Sequence, residues 1–493
     1  MLARFWGLPL LLQMALAVAG TMLLPAAHAT VTGDHHVARS FFYSSVILGV
    51  LLALVSIAVA GRRPRDLGRA NLTALVWAYL LLPALMAVPL NEALPKVAVT
   101  DLWFEMMSSF TTTGMTVLPG VPDSIHLWRA LVGWMGGFTI LVAAAAILAP
   151  VNLGGVEVVT GRVPGQRDDG PYWFTGSIDP AERVRRQAGR VLPAYAGVTV
   201  LLWLGLILTG EDSLRAFCVA LSSVSTSGIL PGGELSAGRL SEAMILAVLV
   251  LALSRRFWPG AVLRPDGPVT RDPELRLALG VTGFVTAVLF LRHAIAAEGY
   301  EGFGSGLGAL WGTVFTTVSF LTTTGFVSAD WEIARFWSGL QTPGLVLAGL
   351  AVLGGGVATT AGGVKLMRVN ALFRHGEHEM ERLIHPSIVS RSALRDRRAA
   401  AYAAWVFFML YALTIAAGTG ALTILGQGFD PALALTLAAL TTTGQLAALV
   451  GAEPVPVAVL GAEVKAVMAA LMVIGRLETL ALLVFLIPAT LRR

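Results

Sequence analysis

Apolar positions along this chain gather into long unbroken runs rather than the alternating pattern of half-buried strands. Runs of the length a helix needs to cross hydrocarbon are expected near 5–27, 40–60, 70–90, 125–149, 187–209, 240–258, 274–296, 337–369, 399–420 and 457–489. Between them lie shorter apolar segments, near 101–111, 213–224, 308–320 and 429–440. These are about half the crossing length, which predicts helices that enter the membrane and turn back. The expectation is an all-α polytopic membrane protein. The first run follows Arg4 and leads into Ala27-His28-Ala29, as a secretory signal would. Its length, and the second run from Phe41 to Ala60, favour a retained first helix.

Composition agrees with this pattern. Of 493 residues, 56% are hydrophobic and only 13% charged, more apolar surface than one water-soluble core can hide. The charges that remain orient the chain. Arg62, Arg63, Arg65 and Arg69 follow the second run, and later connections carry Arg162, Arg167, Arg183, Arg185 and Arg186, then Arg255, Arg256, Arg264 and Arg271, then Arg374, Arg382, Arg391, Arg395, Arg397 and Arg398. Such connections belong on the cytoplasmic side. The alternate connections are acidic or mixed, with Glu92, Asp101, Asp123, Glu211, Asp212, Glu234, Glu298, Glu301, Asp330, Glu332, Asp430 and Glu453. All four short segments fall on that outer side, and both termini face inward, Arg492 and Arg493 closing the chain.

The net charge of +5 is spread over these connections rather than gathered into an arm, so a nucleic-acid partner is not expected. Cys218, the single cysteine, has no thiol, histidine or acidic cluster beside it and reads as a packed small residue. His28, His35, His36 and His126 fall on the outer side, and His375, His378 and His385 in a charged connection. No clustered acids, bases or metal ligands point to an enzyme.

Each short segment ends in a similar hydroxyl-rich sequence closed by glycine: Thr111-Thr112-Thr113-Gly114, Ser225-Thr226-Ser227-Gly228, Thr322-Thr323-Thr324-Gly325 and Thr441-Thr442-Thr443-Gly444. One copy would pass for a helix-packing surface or a turn. Four copies, each after a half-length helix and before a full run, point to a shared purpose. An ion entering the membrane gives up water, and backbone carbonyls and hydroxyls along extended strands can replace it. Glycine lets successive carbonyls turn the same way. The short helices direct their partly negative carbonyl ends inward, which favours a cation. No carboxylate lies within the four strands, so a monovalent ion is the better match.

Two further features sit in the late runs. Gly354, Gly355, Gly356, Thr359, Thr360, Ala361, Gly362 and Gly363 interrupt one of them, weakening the helix where a break needs protein or water around it. Arg476 lies about two-thirds of the way through the last run, where a charge needs a partner, and Glu478 is the nearest candidate. Lys465 and Glu463 are expected near the outer interface, and Lys365 and Arg368 at the cytoplasmic boundary.

The chain resembles the TrkH/KtrB/HKT family of potassium transporters, most closely its TrkH branch. The resemblance rests on Trp103 to Gly155 (WFEMMSSFTTTGMTV through LWRALVGWMGGFTILVAAAAILAPVNLGG), Arg271 to Leu277 (RDPELRL), Ser319 to Asp330 (SFLTTTGFVSAD), Gly354 to Arg368 (GGGVATTAGGVKLMR) and Gly475 to Glu478 (GRLE). It implies four helix–pore-helix–helix repeats around one pore, after two extra N-terminal helices. The divisions would be 1–66 for those two helices, 67–155 for the first repeat, 156–186 for a cytoplasmic connection and 187–266 for the second repeat. Residues 267–372 would form the third repeat with its gating segment, 373–396 a second connection and 397–493 the fourth repeat. By the same resemblance, Thr112, Thr113, Gly114, Thr226, Ser227, Gly228, Thr323, Thr324, Gly325, Thr442, Thr443 and Gly444 form a K+ selectivity filter. Residues 354–363 are the gate and Arg476 is a pore-lining barrier.

The family further implies potassium uptake or symport across a bacterial inner membrane. K+ is the transported ion, and no cofactor is expected in this chain. The partners implied are a second copy in a homodimer and a cytosolic TrkA-like regulatory subunit carrying the nucleotide, ATP, ADP or NAD. A serine in place of the first filter glycine goes with sodium preference in this superfamily, so Gly114 tilts the reading toward potassium. Two places depart from the branch. The fourth strand runs Thr443-Gly444-Gln445-Leu446 where Asn-Val-Gly-Pro-Gly is usual, and the second inner helix ends in Ser254-Arg255-Arg256-Phe257-Trp258-Pro259, which unsettles the cytoplasmic docking surface. A sodium-conducting or sodium-coupled relative, or a cation-coupled carrier with broken helices, stays open as an alternative.

Overall fold

The computed structural model describes residues 9–59, 67–118, 120–153, 155–156, 158, 180–232, 235, 238–259, 268–296, 303–338, 343–384, 393–451 and 454–478. Arg62, Arg63, Arg65, Arg162, Arg167, Arg264, Arg391, Arg492 and Arg493, together with Glu234, Glu298, Glu301, His385 and Glu453, lie outside them.

The described residues are all-helical. Two helices, α1 (Leu10–Thr21) and α2 (Leu23–Val31), run almost without interruption and pack with α3 (His35–Val59) against the body. The remaining elements fall into four groups. The first is α4 (Leu67–Ala93), α5 (Val99–Phe110) and α6 (Asp123–Ala143); the second is α7 (Pro180–Leu208), α8 (Ser213–Ser225) and α9 (Gly238–Leu249). The third is α10 (Pro273–Ala296), α11 (Phe303–Leu321), α12 (Trp331–Ser338) and α13 (Gly344–Leu353), followed by α14 (Leu366–Ile384). The fourth is α15 (Ala393–Ile424), α16 (Phe429–Leu440), the single turn α17 (Leu446–Leu449) and α18 (Ala462–Leu477).

In each group the short helix is held by the helices before and after it, and the last helix of the group also packs on the short helix of the next. Thus α6 touches α8, α9 touches α11, α13 touches α16, and α18 returns to α5, which closes the circuit. Among the described residues seven helices are long and apolar enough to cross a membrane. The outer faces of α3 and α15 expose Ile47, Leu54, Ile57, Trp405 and Leu413, the large apolar exterior that hydrocarbon tolerates and water does not.

Two expected spans are interrupted. The run near 240–258 becomes α9 and two short tight turns; of the run near 457–489, the structure describes a tight turn at Val457–Val459 and α18, and residues 479–489 lie outside the described residues. The run near 337–369 breaks into α13, an irregular stretch and α14, because Gly354 takes φ +71° and ends the helix there. The short helices match their expected positions, although α11 begins five residues earlier than the apolar pattern suggested.

Buried charge fixes the first short helix. Glu105 of α5 forms an ion pair with Arg129 of α6, with 0% and 3% of their side chains exposed. The same carboxylate accepts hydrogen bonds from Val117 N (2.8 Å) and Thr116 Oγ1 (3.2 Å) in the segment that follows the turn. Trp128 Nε1 donates to Met86 O of α4 at 3.1 Å, so α4, α5 and α6 are pinned at two levels. Glu105→Ala should therefore destabilise the solubilised protein by about 3–5 kcal/mol, since it strands a buried guanidinium. A double variant with Arg129→Met should recover most of that loss in thermal unfolding followed by tryptophan fluorescence.

Candidate functional site

The four hydroxyl-glycine sequences fold alike. In each, the first hydroxyl donates back to the carbonyl four residues earlier and closes the short helix: Thr111 to Met107, Ser225 to Leu221, Thr322 to Val318 and Thr441 to Leu437, at 2.7–2.9 Å. The second residue then takes the left-handed conformation, with φ of 58° at Thr112, 54° at Thr226, 57° at Thr323 and 55° at Thr442. A threonine there costs on the order of 1–2 kcal/mol, so the surroundings must impose it. The third residue turns its N–H back to the carbonyl five residues before: Thr113 to Ser108, Ser227 to Ser222, Thr324 to Ser319 and Thr443 to Ala438, at 2.8–2.9 Å.

The glycines then bring the four turns together. A β-carbon at Gly114 would collide with the Ser227 carbonyl, and one at Gly228 with the Thr324 carbonyl. One at Gly325 would lie 3.1 Å from Thr443 Cγ2, and one at Gly444 would lie 2.6 Å from the Thr113 carbonyl oxygen. The contacts run first to second, second to third, third to fourth and fourth to first, the same circuit that the helices describe. All twelve residues expected in the filter lie in this ring, and all of them but the half-buried Gly114 are buried. The fourth turn differs from the others in one respect. Gly114, Gly228 and Gly325 have φ of 75°, 64° and 80°, whereas Gly444 is not left-handed and donates its N–H to Thr113 O at 2.7 Å.

The glycine-rich stretch lies against the inner side of this ring. Gly362 N donates to Thr323 Oγ1 at 2.7 Å, and a β-carbon on Gly362 would press on Thr442 Oγ1 and the Thr441 carbonyl. Gly354, Gly355, Gly356, Thr359, Thr360, Ala361 and Gly363 are buried in the same loop. Arg476 of α18 reaches it from the far side, its Nη1 donating to Thr360 O at 2.6 Å. The other two guanidinium nitrogens of Arg476 are buried with no hydrogen-bond partner among the described residues, as are Thr112 Oγ1, Thr442 Oγ1 and Thr360 Oγ1. A cavity of about 20 Å³ lies between Arg476, Gly362 and the π-helical turn Ala144–Leu148 that continues α6, room for roughly one water-sized guest. A π-helical turn often marks a functional position.

Three comparisons bear on this arrangement. The family profile described as "TrkH: Cation transport protein" matches residues 281–490. The Trk system potassium uptake protein TrkH of Salmonella typhimurium is 29% identical over 492 residues, covering 95% of each chain. That of Escherichia coli strain K12 is 28% identical over the same length and share. The crystal structure of the potassium transporter TrkH from Vibrio parahaemolyticus superposes with a TM-score of 0.79 at 25% identity, over the whole of both chains. The chain is thus similar to TrkH proteins over nearly its whole length, and its residues 281–490 match the family's profile.

Within this TrkH-like chain, four charged residues behave differently from what their positions in the sequence suggest. Glu478 does not pair with Arg476 but with Arg368 (2.6 Å), whose guanidinium also lies 3.7 Å above the Phe407 ring. Arg368 is wholly buried, and Lys365 is 6% exposed with its Nζ donating to Ala361 O, so both side chains are enclosed by protein rather than extended along its surface. The break after Gly354 starts α14 inside the body, which draws both cations in with it. Lys465, expected at an interface, is 3% exposed and pairs with Asp101 of α5 at 2.8 Å. Cys218 is buried and free, as expected.

Sequence reasoning missed the carboxylates that brace the ring and the loop. Glu242 of α9 accepts from Ala329 N (2.7 Å), Ser328 Oγ (2.8 Å) and Trp311 Nε1 (2.6 Å), fastening the segment that follows the third turn. Glu274, within the RDPELRL motif, accepts from Val357 N of the glycine-rich loop at 2.9 Å and lies 3.6 Å from Arg255. Asp272 accepts from Ser254 Oγ at 2.7 Å. The unusual exit of the second inner helix is therefore a buried fastening at Ser254 and Arg255, both at most 5% exposed. An acidic residue alone in an apolar run was the available signal for Glu105 and Glu242. Glu274→Ala removes the acceptor of Val357 N. Hydrogen exchange across residues 354–365 should then rise by about tenfold or more, while the amides of Thr113 and Thr324 keep their protection.

Proposed function

We propose that this chain is the membrane-spanning pore subunit of a potassium-uptake system in a bacterial inner membrane, with both termini cytoplasmic and four pore units after two N-terminal helices. The observation that carries the reading is the closed ring of four glycine turns, with a buried loop pressed against its inner side. Thr112, Thr113, Gly114, Thr226, Ser227, Gly228, Thr323, Thr324, Gly325, Thr442, Thr443 and Gly444 form the filter. Their carbonyl and hydroxyl oxygens replace the water that K+ loses. The inward carbonyl ends of α5, α8, α11 and α16 add a field that favours a cation. Relatives titled potassium uptake proteins, aligned over 95% of the chain, support the choice of ion.

Residues 354–363 are the gate. Their loop obstructs the path beneath the filter, and Arg476 holds it through Thr360 O while adding a positive charge that opposes cation passage. Opening requires the loop and Arg476 to part. A cytosolic nucleotide-binding partner on a homodimer of this chain would drive that step. The departure at the fourth turn, where Gly444 abandons the left-handed conformation, favours a second reading in which sodium is carried or coupled.

Expression in a bacterium lacking its own potassium-uptake systems tests the first reading: growth should recover at low potassium, with or without a co-expressed cytosolic partner. Absence of rescue despite verified membrane insertion would count against it. Reversal potentials in mixed salts separate the two readings, and a potential that follows sodium alone removes the potassium assignment. Arg476→Ala should raise flux by about tenfold at equal protein in the membrane; unchanged or lower flux would make Arg476 a structural residue.

A further inference from the structure

We propose that the side-chain oxygen of Gln445 is a cation ligand at the outer mouth of the ring, taking the place of the Gly228 carbonyl that its own amide group has engaged. This rests on the filter reading given above.

The placement follows from the order of the ring. The fourth turn neighbours the third and the first, and the second stands opposite. Gln445 follows Gly444 in the fourth turn, yet its Nε2 donates to the carbonyl of Gly228 in the second, at 2.6 Å. The carboxamide therefore reaches from the fourth turn past the third to the second, on the far side of the ring. Its position between two turns agrees: a β-carbon at Gly228 would lie 2.7 Å from Nε2, and one at Gly325 would lie 2.5 Å from Oε1. The residues after the other three glycines are Met115, Ile229 and Phe326, all buried and apolar, so only the fourth quadrant brings a polar group back over the mouth.

The orientation of the carboxamide is fixed by chemistry. Gly228 offers an acceptor, so the nitrogen must face it and the oxygen must face away. That oxygen is buried and accepts no hydrogen bond among the described residues. A neutral amide oxygen left bare in this way is costly, and it is the hard, uncharged donor that an alkali cation takes in place of water. The Gly228 carbonyl, committed to Nε2, has less of its negative end to offer. The outermost cation position thus draws on backbone oxygen from the first, third and fourth turns, and on the Gln445 side-chain oxygen in place of the backbone oxygen of the second.

Two variants of the full chain separate a ligand from a mere cross-link. Gln445→Leu removes both the oxygen and the donor. Gln445→Glu removes the donor, and with it the bond to Gly228, but keeps an oxygen at the mouth. Potassium uptake is measured in the rescued, potassium-depleted cells, with membrane content determined for each variant. Leucine should raise the KM for K+ by about tenfold, the size expected for one lost polar ligand, with Vmax per molecule changed far less. Glutamate should keep KM at or below the wild-type value and introduce block by external Ba2+. If glutamate and leucine raise KM alike, Gln445 is a cross-link; if neither moves KM, it is neither ligand nor cross-link, and either result overturns the proposal. Uptake by the wild-type chain in the same cells shows that such a failure belongs to Gln445 alone, whereas wild-type cells without uptake overturn the pore reading as well.

Discussion

Backbone that leaves the helix inside an apolar body must find partners there, because no bulk water is present to supply them. Four segments of this chain leave the helix at the same depth, and each solves the problem in the same two ways. The N–H groups fold back onto the end of their own short helix, as Thr113 does to Ser108 and Thr324 to Ser319. Neighbouring backbone then closes over what is left, which only glycine permits at the separations seen between Gly114 and Ser227 or Gly228 and Thr324. The ring is thus a condition for burying four helix breaks at once. The circuit of helix contacts, from α6 to α8 and finally from α18 to α5, is the same constraint expressed one layer further out.

The glycine-rich loop faces the same difficulty without the symmetry. It borrows partners from every side: Thr323 and the turns above it, Ala252 and Glu274 beside it, and Arg476 below. Gly356 N reaches Ala252 O at 3.0 Å, and Thr359 Oγ1 reaches the same carbonyl at 3.0 Å. Each bond is modest, on the order of 1 kcal/mol net. A loop held by many modest bonds from separate helices can be ordered in one arrangement and still be released when those helices shift.

Much of this was legible in the amino-acid order. The lengths of apolar runs marked the helices, and the half-length runs marked α5, α8, α11 and α16, because hydrocarbon thickness sets a length that composition reveals. The recurrence of Thr-Thr-Gly or Thr-Ser-Gly marked the ring, since all four copies need the same left-handed residue before the same close approach. Glycine spacing marked the break after Leu353 but not the enclosure of Lys365 and Arg368 by the surrounding helices. Pairings between distant segments were not legible. Arg368 with Glu478, Lys465 with Asp101 and Glu274 with Val357 span 110, 364 and 83 positions, and nothing local to any of these residues announces its partner. Proximity in sequence even pointed the wrong way, since Glu478 sits two residues from Arg476 and binds Arg368 instead.

One polypeptide supplies all four quadrants of the ring, and that has a consequence for how such a ring can change. In a ring assembled from four identical chains, every substitution is made four times, and a change that weakens one contact weakens all of them. Here each quadrant drifts alone. The fourth has a bond to Thr113 and a polar neighbour where the first three share a left-handed glycine. The ring's geometry can thus be adjusted in quarter steps, with three intact quadrants preserving the fold during each adjustment.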